Sequence, residues 1–226
     1  MTDLSLDLGG LGRVSAILER PPDGWLLYVL AHGAGAGMRH SFLQSISAAL
    51  ATRGVATLRY QFPYMEAGSR RPDAPAVAEA TVRAAVSRAA AEAPDLPLIA
   101  GGKSFGGRMT SGAAASSLPG VRGLAFLGFP LHPPGRPGTR RADHLVRVEL
   151  PMLFLQGTRD LFAQTDLITG MCQRLGIRAT LHPMEGADHS FGVLKSSGRT
   201  PAAVLDELAD TLVLWARSRV LGQDRR

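Results

Sequence analysis

The chain has 226 residues, 45% of them apolar, which suits a single α/β core that buries most of the surface its unfolded chain exposes. A formal charge of +6 arises from 25 basic and 19 acidic residues. The arginines are scattered, though, aromatics make up only 6% and no nucleic-acid-binding signature occurs, so a nucleic-acid partner is not expected. The start Met1-Thr2-Asp3-Leu4 has no basic stretch followed by an apolar run, and no segment reaches the roughly 18 apolar residues of a membrane span. Cys172 is the single cysteine, so no internal disulfide forms. The expectation is one cytoplasmic domain, residues 1–226, with no membrane partner.

Runs rich in Val, Leu, Ile and Phe alternate with stretches of helical spacing, the pattern of βα units around a parallel sheet. A hairpin over 4–8 and 13–18 opens the chain. Strands follow at 25–31, 56–62, 98–101, 124–129, 152–156 and 179–183. Helices are predicted at 41–53, 74–93 and 104–117, and around Cys172, whose thiol reads as inert. Residues 130–141 hold four prolines, Pro130, Pro133, Pro134 and Pro137, together with Gly135 and Gly138, and should form an irregular but stiff loop. The closing helix shows a buried stripe of Val204, Leu208, Leu212 and Trp215, with Pro201 in its first turn. There is no repeat or linker, and no connection has room for a separate lid domain.

The strongest local signal is Gly102-Lys103-Ser104-Phe105-Gly106, a G-x-S-x-G match directly after a strand and before a helix. In that setting Ser104 stands exposed on a tight turn, and the Phe105 N–H at the helix start faces any oxyanion that develops there. A serine hydroxyl needs a base, and the base needs an orienting acid. Asp160 ends a strand and glycine turn, Leu153 to Asp160, while His189 lies in Gly186-Ala187-Asp188-His189-Ser190-Phe191, between the last strand and the last helix. By itself His189 reads as a surface histidine; two other motifs in register single it out. Asp166 and Asp188 compete for the acid role, although Asp188 adjoins the histidine and should point away from its ring. The second oxyanion donor is expected from Ala34, in the small-residue loop His32-Gly33-Ala34-Gly35-Ala36-Gly37, with His32 fixing that loop.

Three rival chemistries fail on spacing. A phosphate-binding P-loop requires glycine where Pro97 stands, and both registers of a dinucleotide fingerprint break, at Met38 and at His40. His182, Glu185 and His189 lack a metal-ligand spacing. No cofactor and no metal are expected.

These residues resemble a known family. His32-Gly33-Ala34-Gly35, Gly102 to Arg108, Gln156 to Asp160, Gly186 to Phe191 and Arg59-Tyr60-Gln61-Phe62-Pro63-Tyr64-Met65-Glu66 with Arg70-Arg71-Pro72 are similar to the dienelactone-hydrolase-like proteins. Within that group they look closest to small predicted hydrolases related to testis-expressed and non-specific-lethal-complex hydrolase-like proteins. The resemblance spans about residues 25–215 and implies an α/β-hydrolase fold: a mostly parallel twisted sheet with helices on both faces and no lid domain. It also implies a Ser104–Asp160–His189 triad. Ser104 stands where true dienelactone hydrolases carry cysteine, so their particular reaction is not implied.

The expected activity is cleavage of an ester, or else a thioester or amide, of a small acyl substrate. The alternative is a silent scaffold that keeps the fold and binds a protein partner, against which the intact triad argues. Tyr64, Met65 and Leu131 are candidate walls of an acyl pocket. Arg70 and Arg71, with Arg136, Arg140 and Arg141, form clusters that could select an anionic substrate, whereas Arg225-Arg226 reads as a frayed tail.

Overall fold

The computed structural model describes residues 1–222 and opens with the expected hairpin, β1 (Thr2–Asp7) paired antiparallel to β2 (Arg13–Glu19). The Arg225-Arg226 pair lies outside the described residues. Strand β3 (Leu26–Ala31) leads into helix α1 (Ser41–Ala51), and β4 (Val55–Tyr60) into a short helix α2 (Pro63–Glu66) and the long α3 (Pro75–Glu92). Strand β5 (Leu98–Lys103) runs into α4 (Phe105–Ala114), and β6 (Val121–Leu127) into a loop and a 3₁₀ segment, Arg140–Arg147. Finally β7 (Met152–Gly157), α5 (Thr165–Leu175), β8 (Ala179–Met184) and α6 (Pro201–Trp215) complete the order.

The strands form one sheet in the order β1-β2-β4-β3-β5-β6-β7-β8, parallel throughout from β4 to β8. Strands β3, β4, β5 and β7 are buried at every position. That is why they read as unbroken apolar runs: a parallel strand covered on both faces has no wet side. Side chains still alternate between the faces. Leu124 and Phe126 of β6 and Met152 and Phe154 of β7 pack in one core with Val82 of α3, Met109 of α4 and Ile168 of α5. Their neighbours Ala125, Leu127, Leu153 and Leu155 pack in the other core, with Ile46 of α1 and Leu208, Leu212 and Trp215 of α6.

The termini of α6 follow local rules. Thr200 Oγ1 accepts from the Ala203 N–H at 3.1 Å, and Pro201 occupies the first turn, where its missing N–H has no cost. Cys172 is buried in α5, and burial pushes its thiol up to about 12, leaving it protonated and unreactive.

Most strand bounds differ from the pattern reading by one or two residues, β4 for instance covering Val55–Tyr60, and two of the differences have a clear cause. Strand β5 continues past Gly101 through Gly102 and Lys103, because the bare Gly101 and Gly102 let Ala125 and Ala31 come against it. Strand β6 begins at Val121 and stops at Leu127, and the chain then turns at Gly128 with a φ of 70°. Among the described residues no helix is long and apolar enough to cross a membrane.

Candidate active site

The carboxyl ends of β3, β4, β5, β7 and β8 converge on one edge of the sheet, where an open α/β architecture gathers ligands. Ser104 caps α4 there in a left-handed conformation, φ 50° and ψ −114°, that is costly for a residue with a side chain. Both motif glycines are needed to hold it. A Cβ on Gly102 would lie 2.3 Å from the Ala31 carbonyl oxygen, and one on Gly106 would lie 2.5 Å from that of His32. The loop after β3 is thereby seated directly against the serine.

The three side chains singled out in the sequence form one hydrogen-bonded line. Ser104 Oγ lies 2.8 Å from His189 Nε2, and His189 Nδ1 lies 2.6 Å from Asp160 Oδ2. A carboxylate only accepts, so Nδ1 carries the ring proton and Nε2 is left to accept from the serine hydroxyl. The Asp160 side chain is fully buried, and its remaining contacts come from Gln156 Nε2 at 2.6 Å and the Phe162 N–H at 2.7 Å. Gln156 is fixed in turn, since its Oε1 accepts from the Phe129 N–H at 2.8 Å. The Phe162 ring lies against the imidazole, centroid to centroid 4.4 Å.

The competing acids are engaged elsewhere. Asp188 Oδ1 accepts from the N–H groups of Ser190 and Gly192, both at 2.8 Å, and so shapes the turn that carries His189. Asp166 lies in the first turn of α5, where a negative charge suits the helix end. His182 pairs with Glu207 at 2.8 Å, and among the described residues no group of three His, Cys, Asp or Glu side chains is placed to hold a metal ion.

In the loop after β3, the Ala36 N–H donates to Gly33 and the Gly35 N–H to the Tyr64 hydroxyl at 2.9 Å. Among the described residues neither the Ala34 N–H nor the Phe105 N–H has an acceptor within the protein. His32 fixes this loop. Its Nε2 accepts from the Phe62 N–H at 3.2 Å, Nδ1 meets the Gly33 oxygen at 2.7 Å, and burial holds the imidazole down to about 4, hence neutral.

Two of the expected pocket walls are placed differently. Leu131 is only 1% exposed and packs in the core, so it offers no surface to a ligand. Tyr64 is also buried, and its hydroxyl serves the loop through Gly35, although its ring packs near Phe105. Met65 is half-buried, while Arg70 and Arg71 are exposed. An open cleft of about 800 Å³ instead adjoins His189, with Leu161, Phe162, Gln164 and Ser190 on its walls. Pattern reading passed over Leu161, Phe162 and Gln156; a leucine 72% exposed on the cleft that His189 also lines is a signal that only the folded arrangement supplies.

The alpha/beta hydrolase domain family matches residues 26–217 of the chain. Similar solved structures include a serine hydrolase without a lid from Xanthomonas campestris, 21% identical, covering 97% of this chain and 94% of that one with a TM-score of 0.74. A dienelactone hydrolase from Anabaena variabilis is 18% identical over 97% of both chains, with a TM-score of 0.78. The esterase domain of a Rhodothermus marinus protein is 19% identical, covering 97% of this chain and 98% of that one at a TM-score of 0.73. At such identities the likeness is one of fold.

Proposed function

Because this chain belongs to the alpha/beta hydrolase domain family and has that fold, we propose that it is a serine hydrolase that cleaves a carboxylic ester of a small acyl substrate, in preference to a thioester or amide. The observation that supports the reading is the unbroken line Ser104–His189–Asp160 at the carboxyl edge of the sheet. His189 Nε2 takes the proton as Ser104 Oγ attacks the carbonyl carbon, and Asp160 holds the ring in the required tautomer. The tetrahedral oxyanion sits between the N–H groups of Ala34 and Phe105 at the start of α4. His189 then returns the proton to the leaving alkoxide, and water releases the acyl group from Ser104 by the same steps in reverse. Every group in this sequence belongs to the chain, so the reading invokes no cofactor, and it treats residues 1–226 as one catalytic domain.

A fluorophosphonate probe tests it. Stoichiometric labelling of Ser104, abolished in His189→Ala, is the expected result, since only an activated serine reacts quickly. A parental protein that resists the probe and turns over no activated ester would favour a silent scaffold.

The charge distribution extends the proposal to anionic substrates. Arg20, Arg39, Arg53, Arg59 and Arg88 are engaged by carboxylates within 3.2 Å. Among the described residues Arg70, Arg71, Arg108, Arg136, Arg140 and Arg141 form no such pair. Arg108 lies one helical turn beyond Ser104, and burial together with the Arg141 charge lowers its guanidinium. Guanidinium groups without a carboxylate partner are suited to a substrate carboxylate. At low salt the carboxylate-bearing form of an ester should exceed its neutral analogue in kcat/KM by about tenfold, an advantage reduced by high salt and by Arg141→Ala. Equal efficiencies at both salt levels would leave the arginines as solvated surface.

A further inference from the structure

Among the described residues Lys103 is the one buried charge at the site that takes no part in the proposed proton transfers. It ends β5 directly before Ser104 and is 9% exposed. Its Nζ donates to the main-chain carbonyl of His189 at 2.5 Å and lies 5.3 Å from the centroid of the Phe191 ring. A Cβ on Gly128 would come within 3.0 Å of Lys103 Nζ and 3.5 Å of His189 Nδ1. The ammonium and the imidazole therefore border the same narrow gap, kept clear by a residue with no side chain.

A buried ammonium is costly unless partners offset its lost hydration. Burial pushes Lys103 down to about 8, while Asp160 after β7 and Asp188 after β8 act to retain its proton. Arg159 and Asp166 are the other charged groups along the cleft that holds His189. The arrangement has a consequence for the base. A lone buried carboxylate at Nδ1 favours the imidazolium, which cannot accept a proton from serine. An ammonium bordering the same gap as Nδ1 opposes that field.

We propose that Lys103 is a positioning residue for the hydrolytic reaction: it grips the His189 carbonyl to set the ring over Ser104, and its charge offsets Asp160 so that the ring stays competent as a base. This rests on the Ser104–His189–Asp160 reading. Lys103→Met removes both donor and charge, Lys103→Gln keeps a donor without charge, and Lys103→Arg keeps both. Each is compared with the parental enzyme and with Ser104→Ala in kcat and KM across pH. The ring proton of His189, assigned by its absence in His189→Ala, is followed by NMR without substrate.

In Lys103→Met, kcat should fall about 10- to 100-fold with KM little changed, because the base is misplaced and substrate contacts are not. Removing a positive charge favours the protonated ring, so the acid limb of kcat/KM should move to higher pH, by about one unit, with the NMR titration moving alongside. Lys103→Gln should show the same limb shift with a smaller loss in kcat, and Lys103→Arg should keep the parental limb. A folded Lys103→Met with parental kcat and limb overturns the inference. So do equal losses in all three variants without any movement of the limb, which would mean a packing role alone. Should Lys103→Met fail to fold, the Lys103→Gln titration decides. Substantial turnover in Ser104→Ala would instead remove the underlying reading, and the inference with it.

Discussion

Alanine at Ser104 or at His189 is expected to lower kcat/KM on an activated ester by about 10³-fold or more, and the double variant should be little worse than either single one. On the proposed reading the two side chains work as a unit: a serine hydroxyl is a poor nucleophile until a base can take its proton, and Nε2 lies 2.8 Å away. Neither change should unfold the protein. Ser104 holds a strained φ of 50° that the flanking glycines and the loop after β3 impose, and alanine meets the same constraint. His189 contributes a ring that is 20% exposed at the edge of an open cleft, not a core side chain. Thermal melting should therefore stay within about 3 °C of the parental midpoint. A Ser104→Ala protein that hydrolyses esters near the parental rate would place the nucleophile elsewhere.

Why these three residues were legible follows from where they sit. Ser104, Asp160 and His189 each stand just past a strand, in a segment whose glycines and small residues announce a tight turn, so local pattern and chain order were enough. Their supports left no such trace. Lys103 occupies the variable position of G-x-S-x-G, and its partner is 86 residues away. Gln156 ends β7 as an ordinary polar residue, and its value lies in bonding Asp160 and the Phe129 N–H together. Tyr64 reads as a pocket wall because its segment leaves the carboxyl end of a strand, where such sheets gather ligands. Strand order reverses that reading: β3 and β4 are neighbours in the sheet, so the loop after β4 lies beside the loop after β3, and the phenol is taken by Gly35.

The amino-terminal part of β6 was hidden for a similar reason. Arg122 and Gly123 interrupt the apolar run that begins at Leu124, and strand propensity falls at glycine. The structure supplies the cause. A Cβ on Gly123 would meet the Trp215 ring at 2.8 Å and Val220 at 3.0 Å, so the absent side chain is what lets α6 and the turn after it close on the sheet. The sequence pattern reports which residues are apolar; which neighbour requires a gap is set by packing between segments far apart in the chain.

Asparagine at Asp160 is expected to lower kcat/KM by about 10⁴-fold, because the ring would be held in the wrong tautomer. The surroundings make the expectation sharper here. Asp160 Oδ2 accepts from Gln156 and from His189, and Oδ1 accepts from the Phe162 N–H, so donors converge on both oxygens of a fully buried carboxylate. Asparagine can present one oxygen only. With its oxygen toward Phe162, its NH₂ faces the Gln156 amide and takes Nδ1 as an acceptor, which moves the ring proton to Nε2 and leaves the serine without a base. Turned the other way, the NH₂ confronts the Phe162 N–H, and one buried donor is left unpaired at a cost of about 1–3 kcal/mol. Gln156 cannot flip to relieve this without abandoning the Phe129 N–H. The expected result is thus a joint loss of rate and of stability, read from kinetics and from urea unfolding on the same preparation. Asp166→Asn, in the first turn of α5, should stay near the parental rate, and Asp188→Asn should fall between the two, since its amide oxygen still accepts from the Ser190 and Gly192 N–H groups, though without the carboxylate's charge, and it does not touch the ring proton. Near-parental kinetics in Asp160→Asn together with a large loss in Asp166→Asn would transfer the acid role to Asp166.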